Sequence, residues 1–340
     1  MDSRYDVYGV GHAVVDSQFA VPPEAVAALG IDKGVMTLID APRRDLMLEG
    51  LAREPTRSAS GGSAANSLIA LCRYGGKAYF ACQVGDDEWG DFYRRDLEEV
   101  GVTSSAGAHR PGPTGQCLVL VTPDADRTMN TFLGVSSGMG PDQIEPGVLA
   151  ACGWVYLEGY LLTTEVGLEA CLLAQAEARR RGIPVALTLS DPTIVDLFRE
   201  HFDRLVGGGV DLVFCNDDEA RALTREDDRD TAAAALAGLS PRVCITCGSE
   251  GALVLDHGDK GFAPGHPVTA VDTTGAGDAF AGGALYGLTR GHSLVEAAAL
   301  GCYAAAHVVS SFGPRLEADL AAATAQALAG EAPIIAGSDT

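Results

Sequence analysis

The strongest constraint on the fold is an alternation that begins at Trp154. Short apolar runs at 154–157, 185–189, 212–215 and 243–246 are separated by longer stretches, and 165–181 and 231–239 carry helical patterns. Runs with no polar alternation read as strands buried on both faces. Strands of that kind joined by helices make a parallel sheet with helices on either side. The expected fold class is therefore α/β, a doubly wound, mostly parallel sheet.

The first half is less regular. It offers a strand-like run at 5–15, a helix at 23–29, a strand at 35–39 and a helix at 43–53. A Gly/Ser loop at 58–63 follows, then a helix at 64–74 stopped by Gly75 and Gly76. A strand at 78–84 and a helix at 89–100 ended by Gly101 come next. Two strands at 116–122 and 128–133 flank Pro123, Asp124, Ala125 and Asp126, a turn composition. The strand-rich pieces near 10–55 and 112–134 break the later rhythm and predict a small sheet beside the main one, a natural lid. We expect one domain over 1–330 with these lid segments inserted, and a frayed tail at 331–340.

Composition narrows the function. With 340 residues, 47% of them hydrophobic, the chain can build a large core. A formal charge of −22 repels nucleic-acid backbones and anionic lipids. No apolar run is long enough for a membrane span, and the first residues lack a secretory pattern, so a cytoplasmic location is expected. The nine cysteines are scattered and odd in number, which fits reduced thiols. Cys244 and Cys247 form a CxxC with no second pair at zinc spacing, and read as thiols on a strand.

The segment carrying most chemistry is Asp272-Thr273-Thr274-Gly275-Ala276-Gly277-Asp278, between a strand-like run at 268–271 and a helical run at 279–288. Small residues at a helix start leave backbone N–H groups open to an anion, and the helix dipole favours negative charge there. Gly275, Ala276 and Gly277 allow close approach, and Asp278 can accept a proton from an attacking hydroxyl. An anion cradle beside a base suits phosphoryl transfer to an alcohol. The plainer alternative for Asp278 is a first-turn carboxylate stabilising its helix by about 1 kcal/mol.

This segment resembles the second signature of the ribokinase-like (PfkB) carbohydrate and nucleoside kinases. Ser60-Gly61-Gly62-Ser63-Ala64-Ala65-Asn66, far upstream, resembles the first. The resemblance runs over about 5–320 and is nearest to bacterial adenosine-kinase-like members. It implies a ribokinase-like fold with a β-sheet lid. It places Gly61, Gly62, Ser63 and Asn66 against the substrate's hydroxyls. Asn216 and Glu219 match an N-x-x-E motif, with Glu219 organising Mg²⁺ through water; a solvated first turn is the alternative. Thr246, Gly248 and Gly251 match a T-x-G-x-x-G turn along ATP, or are an ordinary hairpin turn. Thr273 belongs to the same ATP-associated set.

Asp16 inherits a ribose-binding place, and His12 stands four residues before it where the adenosine-kinase branch carries Asn. Arg127 and Met129 match the lid, and Tyr160 the aromatic ring against the base; an exposed arginine and a core tyrosine are the alternatives. Asp272 is where a monovalent cation such as K⁺ would be sought. The implied activity is ATP- and Mg²⁺-dependent phosphorylation of the 5′-hydroxyl of adenosine, a purine-salvage reaction. Another nucleoside or a free sugar such as ribose or fructose is the alternative, and a non-catalytic ligand-binding protein on this fold a remote one. A monomer or homodimer is expected. A dinucleotide-binding reading fails because Val14 stands where a third small residue is needed, and no P-loop is present.

Overall fold

The computed structural model describes residues 4–34, 36–52, 54–105, 110–123 and 127–333. The expected strand start at Val35, the helix end at Arg53, the turn at 124–126 and the tail from 334 lie outside the described residues.

Fourteen strands are described: β1 Tyr5–Val10, β2 Val14–Ala20, β3 Met36–Leu38, β4 Arg57–Gly61, β5 Ala78–Ala81, β6 Val102–Ser104, β7 Gly115–Val121, β8 Arg127–Phe132, β9 Cys152–Glu158, β10 Val185–Thr188, β11 Leu212–Asn216, β12 Arg242–Thr246, β13 Gly251–Asp256 and β14 Asp259–Pro264. Nine form one sheet in the order β14-β13-β12-β11-β10-β9-β1-β5-β6. The run from β12 to β6 is parallel, and β13 pairs antiparallel with both neighbours. The doubly wound sheet is as expected.

Alternate side chains explain why the strands lack a polar face. Val155, Leu157, Val213 and Cys215 pack one way, against the helices Glu165–Arg180, Arg199–Gly207 and Arg229–Ala237. Trp154, Tyr156, Leu212 and Phe214 pack the other way, toward Ser63–Arg73, Ala276–Thr289 and Leu294–Val309. Both faces are covered, as a parallel sheet requires.

The chain leaves β1 toward β5 and β6, then returns on the other side of β1 to build β9, β10, β11 and β12. Loops after β1 and β9 therefore diverge and open a crevice at the carboxyl ends of the strands. Over it stands a five-stranded sheet, β3-β8-β7-β2-β4. Phe19, Leu118 and Leu120 on one face pack with Val26, Met47 and Leu51 of the helices Pro23–Ala28 and Ala41–Leu51. The other face looks into the crevice.

Three local expectations are corrected. The run at 5–15 is two strands in two sheets, broken at Gly11, where an added Cβ would lie 2.4 Å from a Glu158 carboxylate oxygen. The 58–63 loop contains β4, so the lid reaches beyond 55: its small residues pair antiparallel with β2, and tertiary pairing overrides a loop-like composition. The strand expected at 268–271 is absent. That stretch leaves the edge strand β14 and turns to the end of the helix Leu294–Val309, where Val271 N donates to Val309 O at 2.7 Å.

Candidate active site

The crevice is a cleft of about 470 Å³, within the range of small-molecule sites. Its floor comes from strand ends and helix starts, its roof from the lid. Val14, Asp16, Val119, Arg127 and Met129 point into it from the lid strands, along with Met36 and Leu38 of β3.

Asp278 lies in the first turn of Ala276–Thr289, half-buried on the floor. Its Oδ1 accepts from Ser63 Oγ at 2.6 Å and its Oδ2 from Asn66 Nδ2 at 3.0 Å. Ser63 caps no backbone N–H of its own helix; it serves Asp278 instead. Burial raises the Asp278 pKa to about 6, against the lowering effect of the Ser63 and Asn66 hydrogen bonds. A base in that range suits neutral-pH proton transfer.

Gly275 caps the helix at φ 78°, and an added Cβ there would sit 2.1 Å from the Pro314 carbonyl oxygen. Gly277 faces open space, with nothing within 4 Å of an added Cβ. The Ala276 N–H turns to Thr273 O at 3.2 Å, so Gly277 and Asp278 carry the open amides expected at a helix start.

Around Asp278, the residues His12, Asp16, Gly62, Ser63, Asn66 and Tyr160 all line the cleft. Gly61 does not: an added Cβ would lie 2.3 Å from the Asp16 carboxylate, so it lets β4 pass beside that side chain. Gly62, at φ 105°, does the same beside the His12 carbonyl oxygen. Burial raises the Asp16 pKa to about 7, with Arg127 lowering it and Asp278 raising it.

Glu158, at the end of β9, was not expected at the site. Its carboxylate accepts from His12 N at 3.4 Å and Ala64 N at 2.8 Å, tying the loop after β1 to the start of the helix Ser63–Arg73. Burial raises its pKa to about 8. The available signal was a lone carboxylate closing the apolar run at 154–157. Asp191 also lines the cleft unforeseen.

At the other end, Asn216 and Glu219 form a capping box, with Glu219 N donating to Asn216 Oδ1 at 2.8 Å and Asn216 N to Glu219 Oε2 at 3.1 Å. Both face the cleft, and burial raises the Glu219 pKa to about 7. Thr246 lines the cleft, whereas Gly248, Gly251 and Thr273 do not. Gly248, at φ 58°, and Gly251, at φ 121°, shape the β12–β13 turn.

Asp272 forms a buried ion pair with Arg127 and accepts from Gly313 N at 2.9 Å and Thr274 N at 3.0 Å. Donors surround this carboxylate, which is unlike a cation cage. Among the described residues no cluster of three His, Cys, Asp or Glu could hold a metal ion. None of their helices is long and apolar enough to cross a membrane.

A family model for the pfkB family carbohydrate kinases matches residues 31–320. The chain belongs to this family. The kinase is a phosphotransferase acting on an alcohol group, with the ribokinase-like fold. It is 27% identical to the adenosine kinase of Saccharomyces cerevisiae over 90% of its own length and 95% of the yeast enzyme. It is 33% identical to the ATP-dependent ribose-1-phosphate kinase of Halopiger xanaduensis over 67% of this chain and 72% of that one. The crystal structure of adenosine kinase from Sinorhizobium meliloti superposes with a TM-score of 0.86 at 36% identity, covering 96% of this kinase and all of that chain, 100%.

Proposed function

We propose that this kinase transfers the γ-phosphoryl of ATP to the 5′-hydroxyl of adenosine, giving AMP and ADP. The observation that carries the reading is Asp278, held by Ser63 and Asn66 at a glycine-lined helix start and facing the cleft. In this reading Asp278 takes the hydroxyl proton as the oxygen attacks phosphorus. The amides of Gly277 and Asp278 stabilise charge on the moving group. Glu219 would hold magnesium through water, and the ion, when bound, would neutralise phosphate charge. The lid excludes water during transfer.

Three features favour a neutral nucleoside. Among the described residues the cleft presents the carboxyls of Asp16, Glu158, Asp191, Glu219 and Asp278, and its arginine, Arg127, is paired with Asp272. That balance disfavours an acceptor already phosphorylated. The apolar roof of Met36, Leu38, Val119 and Met129 suits a flat base, which a free sugar lacks. The adenosine kinases of Saccharomyces cerevisiae and Sinorhizobium meliloti align over nearly the whole chain.

A panel of adenosine, other nucleosides, ribose, fructose and ribose 1-phosphate, read by ATP consumption, tests this. Adenosine should give the highest kcat/KM. A higher value for any free sugar or sugar phosphate contradicts the reading, and no turnover with any acceptor would favour a non-catalytic role.

A further inference from the structure

The acceptor side of the cleft holds two buried polar atoms that make no hydrogen bond within the protein, His12 Nε2 and Asn66 Oδ1. His12 is 4% exposed. Its Nδ1 lies 3.0 Å from the Ser136 carbonyl oxygen and 3.3 Å from the Ser136 hydroxyl. A carbonyl oxygen only accepts, so Nδ1 carries the ring hydrogen. The Ser136 hydroxyl meanwhile accepts from Ala13 N at 2.8 Å, fixing the turn Gly134–Gly138 against the loop after β1. Burial lowers the His12 pKa to about 4, so the ring is neutral at physiological pH. A neutral ring protonated at Nδ1 has a bare Nε2, which can only accept.

Asn66 is committed in the same sense. Its amide donates to Asp278, leaving Oδ1 as a second acceptor. Leaving a buried acceptor unmet is costly, so a ligand that brings hydrogen there is favoured over one that does not.

We infer that His12, locked by Ser136 as an acceptor at Nε2, is a specificity-determining residue that requires a ring hydroxyl able to donate. The inference rests on the reading that a sugar-bearing acceptor occupies this end of the cleft. Ser136 is a positioning residue. Fluorine in place of that hydroxyl keeps much of its size and loses the hydrogen. The site should therefore reject the fluoro analogue, whereas an asparagine at 12 could turn its NH₂ toward it.

Two measurements test this. In ¹⁵N-histidine spectra of the free protein, His12 should show a protonated Nδ1 and a bare Nε2 throughout pH 5–8. Calorimetric titration of wild-type and His12→Asn protein should use adenosine and its 2′-deoxy-2′-fluoro and 3′-deoxy-3′-fluoro analogues. Wild-type should bind at least one analogue about tenfold or more weakly than adenosine, and His12→Asn should shrink that ratio to about threefold or less. Thermal melting confirms that the variant folds. A protonated Nε2, equal binding of all three ligands, or an unchanged ratio in His12→Asn overturns the inference.

Adenosine that neither binds nor reacts would refute the nucleoside reading by itself. The titration then uses ribose and its 2-fluoro and 3-fluoro counterparts, with the same criteria. Failure of both ligand sets to bind also overturns the role of His12.

Discussion

Two donors from one helical turn, Ser63 and Asn66, hold the Asp278 carboxylate at the floor of the cleft. They stabilise its charged form, while burial opposes it. Removing one donor should raise its pKa further. In the pH profile of kcat/KM the acidic limb, set by an Asp278 pKa of about 6, should move to higher pH in Ser63→Ala. The variant should lose more activity at pH 6 than at pH 8; an equal loss at both would show that Ser63 does not act through the carboxylate. At the helix start, Gly275→Ala places a side chain at positive φ against Pro314, so strain of about 1–3 kcal/mol should lower the melting temperature. Gly277→Ala meets nothing in the free protein, so it should leave the melting temperature nearly unchanged while weakening nucleotide turnover. Equal melting temperatures for the two variants would contradict the division of labour between these glycines.

At the scale of elements, the Arg127–Asp272 pair joins the lid strand β8 to the loop before the helix Ala276–Thr289. Asp272→Asn removes one carboxylate charge from a buried ion pair, and should cost about 3–5 kcal/mol in denaturant unfolding. Hydrogen exchange should also quicken in β7 and β8 more than in β10 and β11. Uniform exchange across both sheets would show that the pair does not tie down the lid. This link was invisible in the sequence, because its partners lie 145 residues apart and neither belongs to a periodic pattern. The strand rhythm from Trp154 onward was legible because burial on both faces forces apolar runs, and the place of Asp278 at a helix start because a glycine-rich run precedes a helical one. β4 was hidden, since Ser58, Ser60 and Gly61 have the composition of a loop and become a strand only through pairing with β2. Glu158 was hidden for a related reason: its partners, His12 N and Ala64 N, reach it only when three separate segments meet.

For the molecule as a whole, the acidic cleft has a thermodynamic signature. Burial raises the pKa values of Asp278 to about 6, Asp16 and Glu219 to about 7 and Glu158 to about 8, from ordinary values of 3.8 for Asp and 4.5 for Glu. The folded protein therefore retains protons here that the unfolded chain has already released. The stability from these groups is fully present below the unfolded values and is lost as pH rises through the folded ones. The unliganded protein should melt at a lower temperature at pH 8 than at pH 6, by calorimetry, although Asp278 is then ready to act. A melting temperature that rises across that interval would contradict the assignment of these buried carboxyls.

The central claim is that one carboxylate removes the proton while a glycine-lined helix start receives the phosphoryl group. Replacing Asp278 by Ala and measuring single-turnover phosphorylation of adenosine beside calorimetric binding tests it most directly. The rate should fall by about 10²–10⁴ with adenosine affinity changed only a few-fold. Near-normal phosphorylation by the variant would contradict the account.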